Sequence, residues 1–410
     1  MRRLRIDRII IAIVCLILFV FLIIFLISKL FGKKIEENIM LDLTNYSMEE
    51  IKEFAKDNKL NLTIEEKYNK KEKGKVISQS ILKDSVINEN DDLIIYISKG
   101  IDYKELKVNE LGNVPIMMYH GIHNVTDNKY TGGNVDIDGY QRTSEAFRKD
   151  LEFYYKNGYR MIRLNDYVNG VIDVEAGLSP LILTFDDGLS NNIKVTGLDE
   201  NGEIIIDPNS AVGILEEFKK KYPDFNVTAT FFVNGGLFNQ KEYNEKILNW
   251  LINNGYDIGN HTYNHVDFTS VNSEKSVKEV GSLYNLLDKY IPGKYVNIIA
   301  LPFGSPYSKK HENFSYIMSG TYEGKTYNTI AALRVGWEAE YSPFNKSFDS
   351  SFLKRIRAYD NNGTDFDIEM NFKILENNRY ISDGDKNTIT IPKDKENKLK
   401  NNYTLEVVTY

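Results

Sequence analysis

In 410 residues the sequence has one cysteine, nine prolines, two tryptophans and five histidines, and it has no excess of basic charge. There are 51 Lys and Arg against 58 Asp and Glu, a formal net charge of −7. Each scarcity excludes something. A lone cysteine, Cys15, permits no intramolecular disulfide and no thiolate metal cluster. A mildly acidic chain lacks the clustered Lys and Arg that hold a phosphate backbone, so no nucleic-acid partner is expected. With 42% hydrophobic and 12% aromatic residues, the chain is neither disordered nor collagen-like, and its length allows two or three domains.

Charge is missing altogether from Ile9–Ile27, nineteen consecutive apolar residues. At about 1.5 Å per residue this run is long enough to cross nearly all of a bilayer's hydrocarbon core. The expectation is a cytoplasmic N-terminus over 1–8 and a transmembrane helix over 9–31. No small-x-small cleavage site follows, so the helix is expected to stay attached as an anchor. Arg2, Arg3, Arg5 and Arg8 precede it, which places that end in the cytoplasm by the positive-inside rule. Lys29, Lys33 and Lys34 on the far side weaken the asymmetry without reversing it. The expected location is the cell membrane, single-pass, with the later domains extracellular and without cysteine.

Residues 38–100 read as a small separate module. Ser47 and Glu50 form an S-x-x-E capping box, and Met48, Ile51, Phe54 and Ala55 recur at helical spacing. The runs LNLTI, GKVISQS and LIIYIS follow as strands. This order resembles the PASTA domain of bacterial wall-associated kinases and transpeptidases. The resemblance implies either peptidoglycan contact or a spacer. The polar stretch 101–113 reads as a linker.

From Val114 onward, apolar runs (VPIMMYH, MIRL, LILTF, ATFFV, YDIGN) alternate with helical patterns such as FRKDLEFYYKNG and VGILEEFKKKY. That alternation predicts an α/β fold on a mostly parallel sheet, with function beyond the carboxyl ends of the strands. Two polar clusters fall there. Thr184-Phe185-Asp186-Asp187-Gly188 follows one strand; taken alone, its two carboxylates read as a solvated turn. His261 and His265, in Gly259-Asn260-His261-Thr262-Tyr263-Asn264-His265, follow another. On a helical turn the i and i+4 imidazoles face one ion; the bland alternative is two surface histidines. Two His and one Asp leave room for water, as in a catalytic zinc site, and free the second carboxylate to act as a base.

TFDDG followed by NHTYNH resembles carbohydrate esterase family 4, the NodB-type polysaccharide deacetylases. The resemblance runs from about Val114 to Asp360 and implies a distorted (β/α) barrel of NodB type, in a domain taken as 114–375; the TITIP and VVTY runs beyond it read as a strand-containing extension over 376–410. The resemblance implies Asp186 as general base and Asp187, His261 and His265 as ligands of Zn2+ or another divalent transition metal. The family's third motif aligns with Ala300-Leu301-Pro302-Phe303-Gly304, where alanine replaces the usual arginine. The base-orienting arginine is then sought in FLKRIRAY, with Arg355 chosen over Arg357 and an ordinary surface arginine as the alternative. The backbone N–H of Phe303 remains a candidate oxyanion donor.

No histidine follows His311, yet IMMYHGI places His120 just past a strand. This resembles the circularly permuted subgroup that includes poly-N-acetylglucosamine deacetylases. The resemblance implies His120 as general acid; a buried structural histidine is the alternative. Asn201-Gly202 marks a hairpin inserted after TFDDG. Trp337 either stacks on a sugar ring or packs in the core.

Together these features predict a membrane-anchored, metal-dependent hydrolase of carbon–nitrogen bonds that removes N-acetyl groups from N-acetylglucosamine-type residues. Its partner is a cell-wall or exopolysaccharide glycan, peptidoglycan slightly ahead of poly-N-acetylglucosamine. An O-acetyl esterase and a non-catalytic wall-binding sensor are the competing readings.

Overall fold

A computed structural model describes residues 6–31, 38–125, 131–364, 366–401 and 404–410. Arg2, Arg3, Arg5, Lys33 and Lys34, used above for membrane orientation, lie outside the described residues. The chain divides into two compact units, Met1–Asp102 and Tyr103–Tyr410.

The first unit opens with helix α1 (Ile6–Phe31). Its described side chains, Ile11 to Leu26, are all exposed. Among the described residues no helix is long and apolar enough to cross a membrane. The transmembrane helix expected over 9–31 is thus not found among the described residues.

Helix α2 (Met48–Asp57) begins at the anticipated capping box. Ser47 Oγ accepts from the Glu50 amide, and the Glu50 carboxylate accepts from the Ser47 amide. It packs Ile51 and Ala55 onto a sheet in the order β1 (Asn61–Lys67), β3 (Asp92–Ser98), β2 (Val76–Gln79). Met40, Leu43, Leu93 and Ile95 complete this small core.

The second unit is an α/β fold on a curled, wholly parallel sheet. Its strands are β4 (Ile116–Tyr119), β5 (Tyr159–Met161), β6 (Ser179–Phe185), β7 (Thr230–Val233), β8 (Asp257–Asn260), β9 (Ile298–Ala300), β10 (Ala331–Leu333) and β11 (Ile356–Arg357). The order is β10-β9-β8-β7-β6-β4-β11, with β5 added on β6. Every residue of β4, β6 and β7 is buried, which explains why they read as unbroken apolar runs; helices cover the sheet's outer face. The barrel expectation is met as a half-barrel. The bridge Leu333–Leu353 and the bonds Arg334 N–H to Leu353 C=O and Leu353 N–H to Ala332 C=O bring the β10 edge round to the residues entering β11.

Helix α3 (Ser144–Lys156) is capped by the Thr143 hydroxyl and buries Phe147, Leu151 and Tyr154. The inserted hairpin pairs Val195–Leu198 with Ile204–Ile206 around Asn201-Gly202. Two expectations about flanking segments change. The stretch 101–113 is not a linker from Tyr103 onward, because Val108, Glu110 and Leu111 are buried in this unit. Residues 376–410 are not an appendage either: Tyr380, Ile389 and Ile391 share a core with Val114, Ile116 and Ile182.

Candidate active site

The site sits beyond the carboxyl ends of β6, β8 and β9. Strand β6 ends in Phe185, and the chain turns at once through Asp187 (φ +73°) and Gly188 (φ +59°), both left-handed. Glycine is required at 188, where a Cβ would stand 2.3 Å from the Leu237 carbonyl oxygen. This turn leaves Asp186 buried and Asp187 partly open.

His261 and His265 follow β8, but not on a helix. The segment is an irregular loop with Thr262 (φ +60°) and His265 (φ +54°) in left-handed conformations that cost about 1–2 kcal/mol each. Side-chain bonds hold it. The Thr262 amide donates to Asn260 Oδ1 at 2.8 Å, and the buried Glu279 carboxylate accepts from both the Asn264 amide (2.7 Å) and the Asn264 side chain (2.8 Å). Left-handed residues at a site are a familiar mark of function paid for by surrounding contacts.

The loop brings both imidazoles to Asp187. Oδ1 of Asp187 lies 3.2 Å from Nε2 of His261 and 3.2 Å from Nε2 of His265. Ligand atoms around a tetrahedral ion at about 2.1 Å stand roughly 3.4 Å apart, so the set fits a divalent transition metal. Nδ1 of His261 lies 2.8 Å from the Ala300 carbonyl. Donating there fixes the tautomer that turns the Nε2 lone pair toward the ion. Burial works to raise the Asp187 pKa, but hydrogen bonds from the two histidines hold it well below the ordinary carboxylate value.

Asp186 faces Arg355, which enters from the residue just before β11. The guanidinium donates through Nη1 to Oδ1 (2.8 Å) and through Nη2 to Oδ2 (2.7 Å), with further bonds to Thr184 Oγ1 (3.1 Å) and the Arg334 carbonyl (3.0 Å). Both side chains are essentially fully buried. Burial would raise the Asp186 pKa; the Arg355 charge, with His261 and His120 behind it, lowers it instead. On the other side, His120 Nε2 stands 4.0 Å from Asp186 Oδ2. Burial lowers the His120 pKa against the opposing pull of Asp186 and Asp187. Its backbone is fixed by Asn192, whose side-chain amide donates to the His120 carbonyl at 2.7 Å.

Phe303 has φ +57°, and the turn bonds around it use the amides of Gly304 and Ser305, leaving its own N–H outside them. Its exposed ring packs edge-on against His265 at 4.6 Å. Trp337 is not buried core: it packs on Phe366 at 5.0 Å and lines a cleft with Met370 and Ile374 that contains none of the residues above.

The structure thus brings Asp186, Asp187, His261, His265, His120 and Arg355 to one place and leaves Trp337 apart. Glu279 and Asn192 were missed. Glu279 gave one signal, a charge on the buried face of its helix beside Ser276, Val280 and Leu283; Asn192 gave none.

The polysaccharide deacetylase family matches residues 174–315, and the PASTA domain matches residues 38–99. No curated protein matches the chain. Among solved structures, the chain is similar to the Streptococcus pyogenes deacetylase PplD in complex with acetate, at 19% identity over 60% of this chain and 92% of that one, with a TM-score of 0.43. It is similar to the BpsB deacetylase domain from Bordetella bronchiseptica, at 10% identity over 61% and 97%, TM-score 0.39. It is also similar to the peptidoglycan deacetylase PdaC from Bacillus subtilis, at 23% identity over 34% and 55%, TM-score 0.25. The family matches identify a polysaccharide deacetylase domain, of a family of hydrolases acting on amide bonds, together with a PASTA domain in this chain.

Proposed function

We propose that this chain removes the acetyl group from N-acetylglucosamine-type units of a cell-envelope glycan, with peptidoglycan ahead of poly-N-acetylglucosamine. The observation that carries the reading is the clamp of Arg355 on Asp186 directly beside the Asp187, His261 and His265 cluster. A binding protein has no use for a base held ionised next to a complete ligand set.

Asp187, His261 and His265 would hold a divalent transition ion, which when bound would supply a Lewis acid and make a nearby water more acidic. Asp186, kept ionised by Arg355, takes a proton from the attacking water as its oxygen adds to the carbonyl carbon. The Phe303 N–H donates to the oxygen on which negative charge develops. His120 delivers a proton to the departing nitrogen, and the C–N bond breaks to give acetate and a glucosamine unit. His120 Nε2 and Asp186 Oδ2 stand 4.0 Å apart, which supports the reading that the two act side by side on one amide.

The PASTA unit supports peptidoglycan as substrate. We also propose that the uncharged apolar run Ile9–Ile27 anchors the chain in a membrane with the catalytic unit outside; the length of that run, the sixteen exposed apolar side chains within it and the arginines before it in the sequence support this.

The test is acetate release by the zinc-loaded full chain from intact peptidoglycan and from N-acetylglucosamine oligomers, beside Asp186→Asn and His120→Ala. The expected result is release from one substrate, lost by about 10²–10⁴-fold in each variant. A folded, metal-loaded protein that releases acetate from neither substrate overturns the reading.

A further inference from the structure

Arg357 is the residue near this site that the mechanism leaves without a task. It lies two residues beyond Arg355, at the end of β11, where its backbone pairs with Met118 of the strand that delivers His120. Its guanidinium packs against two rings, 5.2 Å from the centroid of Tyr140 and 4.8 Å from that of Tyr359. Tyr140 in turn meets the His120 ring edge-on at 5.0 Å. Two contacts in series therefore connect Arg357 to the general acid.

What Arg357 lacks is an anion. Among the described residues it has no ion-pair partner, and its Nε is buried with no hydrogen-bond partner. Arginine stays charged at any ordinary pH and has no acceptor of its own, so a half-buried guanidinium with an idle N–H is costly unless something meets it. Arg355, on the same chain segment, shows the contrast: its Nε and both Nη atoms are engaged.

The clamp is also built rather than incidental. Gly139, left-handed at φ +68°, lies so close to Tyr359 that a Cβ there would stand 2.1 Å from the ring. The loop 132–142 is pinned to the core by Arg142, which bonds the buried Asp150 and the Gly132 carbonyl. Tyr140 and Tyr359 thus both pack against the cation and preorganise it, so that its planar fork loses less on binding an oxyanion.

We propose that Arg357 is an anion-recognition residue that binds a carboxylate or phosphate group carried by the glycan beside the N-acetylated sugar. The proposal rests on the deacetylase reading and deepens it: the preferred substrate is an anionic N-acetylhexosamine glycan, and Arg357 sets that preference. The negative group comes either from a sugar acid substituent or from a phosphodiester link.

Two measurements on the full chain test it. The first compares kcat/KM for acetate release from a neutral N-acetylglucosamine oligomer, from an oligomer containing N-acetylmuramic acid with its free carboxylate, and from a phosphodiester-substituted N-acetylglucosamine. The ratio of the better anionic substrate to the neutral one is expected to fall at least about tenfold in Arg357→Gln and to recover in part in Arg357→Lys. The anionic arm that shows the higher ratio identifies the source of the charge. A purely structural role for Arg357 would lower all three values together and leave the ratio unchanged, which overturns the proposal.

The second measurement needs no turnover. Metal-free wild-type protein is titrated calorimetrically with the same three ligands, and the anionic ones are expected to bind at least about tenfold more tightly, with the preference lost in Arg357→Gln. Equal binding of neutral and anionic ligands by the wild type overturns the proposal even if Arg357→Gln fails to fold. Absence of acetate release from every substrate, with anionic preference intact in this titration, counts against the deacetylase reading and not against Arg357.

Discussion

Arg355 grips both oxygens of Asp186 from 169 positions further along the chain. The two meet because β11, only two residues long, pairs with β4, which on its other side pairs with β6, the strand that leads into Asp186. An arginine therefore holds Asp186 in this chain although alanine, Ala300, stands where the resemblance to the family places the arginine. The Ala300 backbone serves the site in another way, through its carbonyl on His261 Nδ1.

Replacing Arg355 leaves a buried carboxylate with no countercharge. Arg355→Gln is expected to cost about 3–5 kcal/mol of stability, the usual penalty for removing one member of a buried ion pair. Acetate release is expected to fall with it by about two to three orders of magnitude. Arg355→Lys keeps the charge but not the two parallel N–H bonds and should recover only part of either quantity. Denaturant unfolding and steady-state kinetics check the two effects separately.

The metal set makes a different prediction, read by elemental analysis. Wild-type protein should carry about one divalent transition ion per chain, and Asp187→Ala or His261→Ala should carry almost none. His120→Ala and Arg355→Gln should keep the ion, because neither residue belongs to the triad. Removal of the ion by a chelator should abolish acetate release, and added zinc should restore it. Retention of metal by Asp187→Ala would remove that residue from the ligand set.

How much of this was legible follows from where the information sits. The strands IMMY, LILTF and TFFV announced themselves because they are buried on both faces and so are apolar throughout. The capping box at Ser47 and Glu50 is local, and so was readable. Asp186, Asp187, His261 and His265 were found as two short motifs, but the conformation between the histidines was not, since a spacing of four is shared by a helical turn and by a loop with left-handed Thr262 and His265. The choice between Arg355 and Arg357 depended on register across β4, which no spacing encodes. Val108–Leu111 misled because its apolar residues are interrupted by Asn109 and Glu110, both of which are buried in the fold, Glu110 with its carboxylate accepting from the Thr390 amide.

Glu279 is a positioning residue that acts through Asn264. Its carboxylate accepts both hydrogen bonds that fix the loop between the two histidines, and Lys275 neutralises it at 2.7 Å. Glu279→Ala should therefore weaken zinc affinity by about 10–100-fold, the range typical of outer partners of metal ligands. Saturating zinc should return most of the acetate release, which distinguishes loosened ligands from a misfolded site. Zinc competition with a chromophoric chelator gives the affinity directly.

Glu110 gives the pH dependence of the fold. It is buried and accepts from the Thr390 amide (2.7 Å), the Tyr380 hydroxyl (2.9 Å) and the Asp383 amide (3.3 Å). Burial, reinforced by the Asp383 carboxylate, pushes its pKa up to about 8, from 4.5 for an ordinary glutamate. Between those two values the folded state holds a proton that the unfolded chain releases. Stability therefore declines as pH rises through this window, by up to about 1.4 kcal/mol per pH unit from this one group, and the decline stops above the folded pKa. Glu110→Gln keeps an acceptor oxygen but cannot ionise, so its stability should be flatter between pH 5 and pH 8 and should overtake the wild type at the upper end. Both tryptophans, Trp250 and Trp337, lie in the second unit, so urea unfolding of the full chain followed by tryptophan fluorescence reports the unit that contains Glu110. Parallel curves for the two proteins across that range would show that Glu110 is ionised in the fold and that the Thr390, Tyr380 and Asp383 bonds outweigh its burial.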